Sequence, residues 1–321
     1  MYKICLLGGT GFVGKHLATS LMQNGWQVRI PTQQIERHRD LQLYSNLELV
    51  SANIHDQEQL NSLISGCEVV INTVGILNEN GNDGSGFQKV HVELPKKIVT
   101  ACQVNNVSHL LHMSAINADT TQPESHYLRT KGEGENLVHN AEGLNTTIFR
   151  PSVIFGKDDS FLNKFMALLK VPSPIFILPS ANVKLAPIWI EDLVAAMSKT
   201  ICKFEHYGKS YNLCGPTVYT LQDLVAYTAK LLQVKRFIIP LGNDISYKVA
   251  QVMEFIPGKP YSVDNYKSAM LESSCKNNNQ LEQLGITPHS LEEIMSKYSN
   301  ITKTHREFYS DFRNHARKSE V

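Results

Sequence analysis

At 321 residues, with 42% hydrophobic and 19% charged content, the chain can hold one large domain, or a domain and a smaller lobe, around a substantial core. Its 31 Lys/Arg against 30 Asp/Glu leave a net charge of +1, which gives no footing for a nucleic-acid partner. No apolar run approaches the length of a membrane span. The six cysteines (Cys5, Cys67, Cys102, Cys202, Cys214, Cys275) show no CxxC pair or zinc spacing, so reduced thiols in a cytoplasm and no metal site are expected.

Ile4, Cys5, Leu6 and Leu7 form an apolar run that predicts a strand buried on both faces and leaves no room for a signal peptide. Gly8, Gly11 and Gly14 follow at three-residue spacing, then a helical pattern from Lys15 to Asn24. Strand, glycine turn and helix in this order predict a dinucleotide site. The glycines allow a tight turn and a close backbone approach, and the helix N-terminus offers free N–H groups to a pyrophosphate.

Gln27 to Ile30 reads as a second strand, whose end faces the adenosine ribose in such sites. An acid there would bind the 2′-hydroxyl of NAD, whereas arginine accommodates the 2′-phosphate of NADP. Here Gln33 and Gln34 stand at the turn, with Arg37 and Arg39 beyond, which favours NADP(H) over NAD(H). The same arginines also fit a solvated helix face. Leu47 to Val50 is a third strand, and Asn53 and Ile54 at its end would lie beside the adenine. Val69 to Gly75 is a fourth strand with its exit loop, which carries Thr73, Val74 and Gly75. A flexible loop (78 to 86) and a helix from Phe87 to Asn105 follow. Leu110 to Ser114 and Asn145 to Arg150 are the fifth and sixth strands. Strands alternating with helices predict an α/β fold: a doubly wound, parallel Rossmann sheet.

Beyond Pro151 the pattern changes. A helix from Phe161 to Lys170, a proline-punctuated apolar loop to Ser180, a helix starting near Pro187 and a seventh strand, Ser210 to Leu213, come next. Then follow helices at 220 to 233, 246 to 255 and 291 to 298, and a strand from Phe237 to Pro240. The expected division is a nucleotide-binding domain at 1–155 plus about 187–214. A smaller, mostly helical lobe, at 156–186 and 215–321, would close over the cofactor.

Tyr127 and Lys131 form a YxxxK pair in the first turns of a helix after the fifth strand. Positions i and i+4 share a helix face, so ammonium and phenol reach one small volume. A neighbouring cation and the helix N-terminus are expected to lower the phenol from its usual value of about 10. Ser114, at the strand end, can hydrogen-bond a substrate oxygen. The three make a carbonyl-reduction site in which serine orients, tyrosine transfers the proton, and lysine tunes the phenol and holds the ribose. An ordinary helix start with a surface lysine is the plainer alternative.

GGTGFVG (Gly8 to Gly14) resembles the loop of the extended and atypical short-chain dehydrogenase/reductases. VHVELP (Val90 to Pro95), HMSA (His112 to Ala115), YLRTKGEGE (Tyr127 to Glu135), FRPSVIFGKDDSFLNKF (Phe149 to Phe165) and GPTVYTLQDLV (Gly215 to Val225) resemble an atypical, NAD-dependent epimerase/dehydratase-like branch. That branch includes the nucleotide-binding accessory subunit of mitochondrial complex I (alpha-subcomplex subunit nine) and its bacterial relatives. The resemblance spans residues 4 to about 225, with a fainter echo at Leu284 to Ile294. It implies NADP(H) or NAD(H), with Gly8, Thr10, Gly11, Phe12 and Val13 on the phosphates. Thr73 and Gly75 would lie along the cofactor, and Pro151, Val153 and Ile154 near the nicotinamide. Gln33 and Gln34 stand where relatives carry basic residues, and His91 where extended relatives have asparagine.

Three functions follow. The first is an oxidoreductase acting on an apolar carbonyl or quinone-like substrate, favoured by Ser114, Tyr127, Lys131 and the apolar segment 161 to 180. The second, from the resemblance, is a non-catalytic nucleotide-binding accessory or assembly factor of respiratory complex I or quinone metabolism. A nucleotide-sugar epimerase or dehydratase is third. The tail, Lys303 to Lys318, carries five Lys/Arg against two acids with Phe308 and Phe312 four apart. It is either a loosely held terminal helix or a peripheral contact at the inner face of a membrane.

Overall fold

The Ile4–Leu7 run alternates between two apolar layers: Ile4 and Leu6 enter one core cluster, Cys5 and Leu7 the other. That two-residue period puts helices on both faces of the strand. The protein is described here by a computed structural model covering residues 3–121, 124–256, 259–276 and 278–296. Its sheet has seven parallel strands: β1 (Lys3–Leu7), β2 (Gln27–Thr32), β3 (Leu47–Ser51), β4 (Val69–Asn72), β5 (His109–Met113), β6 (Thr146–Pro151) and β7 (Lys209–Leu213). They lie in the order β7-β6-β5-β4-β1-β2-β3, a doubly wound Rossmann-like arrangement. The order reverses between β1 and β4, so the loops leaving those strands open a crevice at the sheet's C-terminal edge.

Helices Phe12–Gln23 and Ile190–Thr200 cover one face, and Gln57–Ile64, Leu94–Val104 and His126–His139 the other. Local chemistry sets their starts. Asp56 accepts from Gln59 N (2.9 Å), and Ser125 from Leu128 N (3.2 Å). A third apolar cluster gathers Phe155, Leu162, Leu185, Leu224 and Leu291; a fourth gathers Leu169, Leu178, Val225 and Ala229.

Three expectations need correction. The segment to Ser180 is not all loop: Ile175–Leu178 is a strand, paired in parallel with Phe237–Pro240. Its prolines bracket the strand rather than interrupt it, so no ladder donor is lost. The helix expected from Phe87 begins at Ser85 and contains a π-turn, Lys89–Glu93, before Leu94–Val104. Two cysteines are not thiols: Cys214, just past β7, and Cys275 form a disulfide, with Cα atoms 5.8 Å apart across 61 residues. Cys5, Cys67, Cys102 and Cys202 are free. The basic tail, the end of the helix at 291 to 298 and the side chain of Arg39 lie outside what is described.

Candidate active site

The loop after β1 is built for backbone approach. Gly8 has φ +82°, and Gly11 N–H donates to Gly8 O (3.0 Å). A Cβ at Gly14 would stand 2.1 Å from Gly8 O, so only glycine lets the Phe12–Gln23 helix start this close to β1. That helix has no side-chain cap, which leaves its first N–H groups to the crevice. From the facing loop, Thr73 Oγ1 donates to Leu7 O (2.9 Å), tying the β4 exit to the β1 exit. Thr10 and Phe12 are half-buried and Val13 buried at this loop, and Val74 N donates to Asn72 Oδ1 (3.1 Å). These residues fit a pyrophosphate: the cradle is backbone, and a side chain at Gly8 or Gly14 would fill it.

At the ribose end, Gln33 and Asn53 are exposed and joined (Gln33 Nε2 to Asn53 Oδ1, 3.4 Å). Ile54 is half-buried against the core, and Arg37 is exposed on the 3-10 segment Ile35–Leu43. No carboxylate stands at the end of β2 itself. Pro151 closes β6, and Val153 and Ile154 follow, half-buried at the same sheet edge.

Tyr127 and Lys131 lie one turn apart on the His126–His139 helix. Lys131 is buried, and its Nζ donates to Met113 O (3.1 Å), the carbonyl just before Ser114. A Cβ at Gly75 would be 3.1 Å from the same Nζ, so the lysine reaches the β4 exit loop as well. Ser114 is buried, and among the described residues its hydroxyl has no hydrogen-bond partner. Tyr127 packs edge-on to Phe87 and His91. The Lys131 ammonium thus bridges the end of β5, at the carbonyl before Ser114, and the β4 exit loop at Gly75.

His91 is held as a neutral support. Ile76 N–H donates to its Nε2 (3.2 Å), which assigns the proton to Nδ1, facing Thr130 Oγ1 at 3.1 Å. Burial, with Lys131 and His112 adding to it, pulls its pKa down to about 2. His112 on β5 behaves alike: burial and then Lys131 pull it down to about 3. Its Nδ1 faces Asn72 Nδ2 at 3.1 Å, and its Nε2 has no hydrogen-bond partner among the described residues.

Burial pulls the Lys131 ammonium down to about 8, opposed by Glu135. Burial and then the Asp264 carboxylate push the Tyr127 phenol up to about 12. This reverses the expected tuning of the phenol. Asp264 accepts from the N–H groups of His126 (2.6 Å) and Tyr127 (3.2 Å), so a negative charge occupies the helix end whose dipole would have favoured phenolate.

Residues 4–214 match the NAD dependent epimerase/dehydratase family. The chain belongs to that family. It is 31% identical over 249 residues to a Dictyostelium discoideum protein named NADH dehydrogenase [ubiquinone] 1 alpha subcomplex subunit 9, mitochondrial, covering 74% of this chain and 67% of that one. It is 28% identical over 198 residues to a Caulobacter vibrioides ceramide reductase, covering 60% of this chain and 59% of that one. Among solved structures it resembles UDP-glucuronic acid 4-epimerase from Bacillus cereus, with TM-score 0.71, 18% identity, and coverage of 94% and 99%. That last likeness speaks to the fold.

Within this epimerase/dehydratase-family frame, sequence reasoning missed several residues. Asp264 acts from 137 positions beyond Tyr127, with Ser125 and Ser268 joined beside it (2.8 Å). Arg150 Nε donates to buried Glu135 Oε1 (2.8 Å), holding the carboxylate one turn beyond Lys131. Gly134 explains part of the GEGE string: a Cβ there would be 1.8 Å from His91 O. Only the glycine repeat could have signalled any of this. A cavity of about 120 Å³, lined by Asn78, Phe87, His126, Lys259, Asp264 and Lys267, lies beside the helix start. Its outer wall is stitched by Asn78 Nδ2 to Lys259 O (3.3 Å) and Asn265 Nδ2 to Leu77 O (3.1 Å). No helix among the described residues is long and apolar enough to cross a membrane.

Proposed function

We propose that the chain is an NAD(P)H-dependent oxidoreductase that reduces an apolar carbonyl or quinone-like compound. The observation behind this is the Ser114 hydroxyl, buried and unpartnered among the described residues, one peptide bond from the carbonyl that anchors Lys131. A bound reduced nicotinamide supplies the hydride. The Ser114 hydroxyl donates a hydrogen bond to the substrate oxygen and orients it. Tyr127, protonated throughout the neutral range, gives its phenolic proton to that oxygen as negative charge develops there. The Lys131 ammonium stabilises the phenolate left behind. A high phenol pKa suits the reductive direction, in which the tyrosine must begin as an acid. The relative named a ceramide reductase supports reduction over epimerisation.

NADP(H) is the preferred cofactor in this reading, supported by the missing acid at the end of β2 and the exposed Arg37. The test is to hold the protein with NADPH and follow nicotinamide fluorescence against a panel of quinones and ketones. Oxidation by at least one compound, slowed in Ser114→Ala, is expected. No oxidation by any member would sink the reductase reading.

A second reading, a cofactor held without turnover in a respiratory assembly at a membrane, has its own support. Relatives are named as complex I subunits. In that case Ser114→Ala and Tyr127→Phe leave the protein's role in cells unchanged.

A further inference from the structure

The paired strands Ile175–Leu178 and Phe237–Pro240 are apolar on both faces. Phe176, Leu178 and Ile238 turn inward onto Leu169, Val225 and Ala229. The register sets Ile175 beside Phe237 and Ile177 beside Ile239 on the outer face. These four are 49%, 80%, 60% and 41% exposed. A sheet with one wet face ordinarily alternates apolar with polar residues, so four large apolar side chains together on the outside call for an occupant.

The nearby cations gather at one end of the pair, while the adjoining carboxylates, Asp223 and Asp244, lie in the first turns of the flanking helices. Residues 160–183 and 224–243 contain Lys164, Lys170, Lys230, Lys235 and Arg236 and no Asp or Glu. The strands run parallel, so Lys170, Lys235 and Arg236 collect at one end of the pair. Arg236 fixes that end by donating to Leu169 O (2.9 Å) and Val171 O (3.2 Å).

We propose that this outer face is a docking surface for an anionic lipid membrane, with the four apolar side chains entering the acyl boundary and the cations meeting lipid phosphates. Apolar insertion and cationic attraction reinforce one another at such a surface. Other occupants fit less well. A second copy docking with its strands parallel to these would set the cationic ends against each other, and the tail at 303–318 is itself basic. None of the eight residues of the two strands is Tyr or Trp or carries a hydrogen-bonding side chain that could fix a protein partner's register. The surface is independent of whether the active site turns over.

The test is flotation of the full-length protein with vesicles of phosphatidylcholine alone and with phosphatidylglycerol added, at low and high salt. The expected result is binding to the anionic vesicles, weakened by salt, and at least about tenfold weaker in Ile177→Ser/Phe237→Ser. Both positions are exposed, so the double variant should keep its melting temperature and bound cofactor. A full-length variant with Lys303, Arg306, Arg313, Arg317 and Lys318 all changed to Gln should still bind. Three results would each overturn the proposal. These are no binding of the parent protein to anionic vesicles, loss in the tail variant with none in the double variant, or a double variant that only converts a dimer to monomer.

Discussion

The two halves of the crevice are made in different ways. The β1–β4 half is backbone: glycines, an uncapped helix end and one threonine, nearly all within a dozen residues of Gly8 apart from Thr73. The Tyr127 half is side-chain chemistry assembled from afar, with Asp264 on the helix start, Arg150 on Glu135 and Ile76 on His91. A backbone cradle tolerates almost no added atom. A side-chain network can lose members one at a time, each shifting a pKa or a position.

The largest effects should come from added atoms. Gly14→Ala sets a methyl against Gly8 O, and Gly134→Ala one against His91 O. Each is expected to cost about 3 kcal/mol of stability, the upper end for overpacking. They should separate in function: Gly14→Ala abolishes cofactor binding, while folded Gly134→Ala retains cofactor and loses turnover. Calorimetry with cofactor titration checks both, and equal binding losses would break the distinction.

Acid should strike the buried histidines, of which His91 and His112 belong to the side-chain half and His109 lies at the far end of β5, against Thr147 and Cys202 N. His91, His109 and His112 are buried, with pKa values of about 2, 4 and 3, all lowered chiefly by burial. The unfolded chain takes up their protons first, near pH 6.5. Stability present above that pH is therefore lost as pH falls toward the folded values, at about 1.4 kcal/mol per pH unit per histidine. Melting temperature should drop between pH 7 and 5, and His109→Gln should blunt the drop. A flat profile would contradict the assignment of neutral buried histidines.

Asp264→Asn should be milder. Asparagine still caps the helix, so the stability loss is about 1 kcal/mol or less. The titratable groups shown against Tyr127 are His91, whose ring packs edge-on to it, and Asp264, and removing the Asp264 charge lowers the phenol from its value of about 12. The basic limb of the kcat–pH profile should move to lower pH; an unmoved limb would show Asp264 to be structural only. Smallest of all, Arg37→Ala should weaken NADPH by about tenfold or less, as for an exposed charge, and leave NADH unchanged. Equal effects on both cofactors would remove Arg37 from the ribose end.

What was legible in the sequence follows the same division. The sheet could be read because burial on both faces writes itself as Ile4–Leu7 or Val69–Ile71, and the glycine loop because its constraints are local. Phe237–Pro240 was readable as a strand; its partner was not, because Pro172, Pro174 and Pro179 look like breakers until their positions outside the strand are known. The Cys214–Cys275 pairing has no spacing signal across 61 residues. Asp264 sits in the first turn of Val263–Ala269, under a capping box of Ser262 and Asn265 that can be read locally, but its carboxylate serves another helix. The π-turn at Lys89–Glu93 left no mark in the residue pattern.

The central claim is that Tyr127 gives up a proton in turnover, and Tyr127→Phe tests it most directly. The substitution keeps the ring against Phe87 and His91 and removes only the acid. Measured with NADPH and any quinone or ketone that the parent protein reduces, turnover should fall about 10²- to 10⁴-fold, with NADPH affinity nearly unchanged. A variant that turns over like the parent would contradict the account.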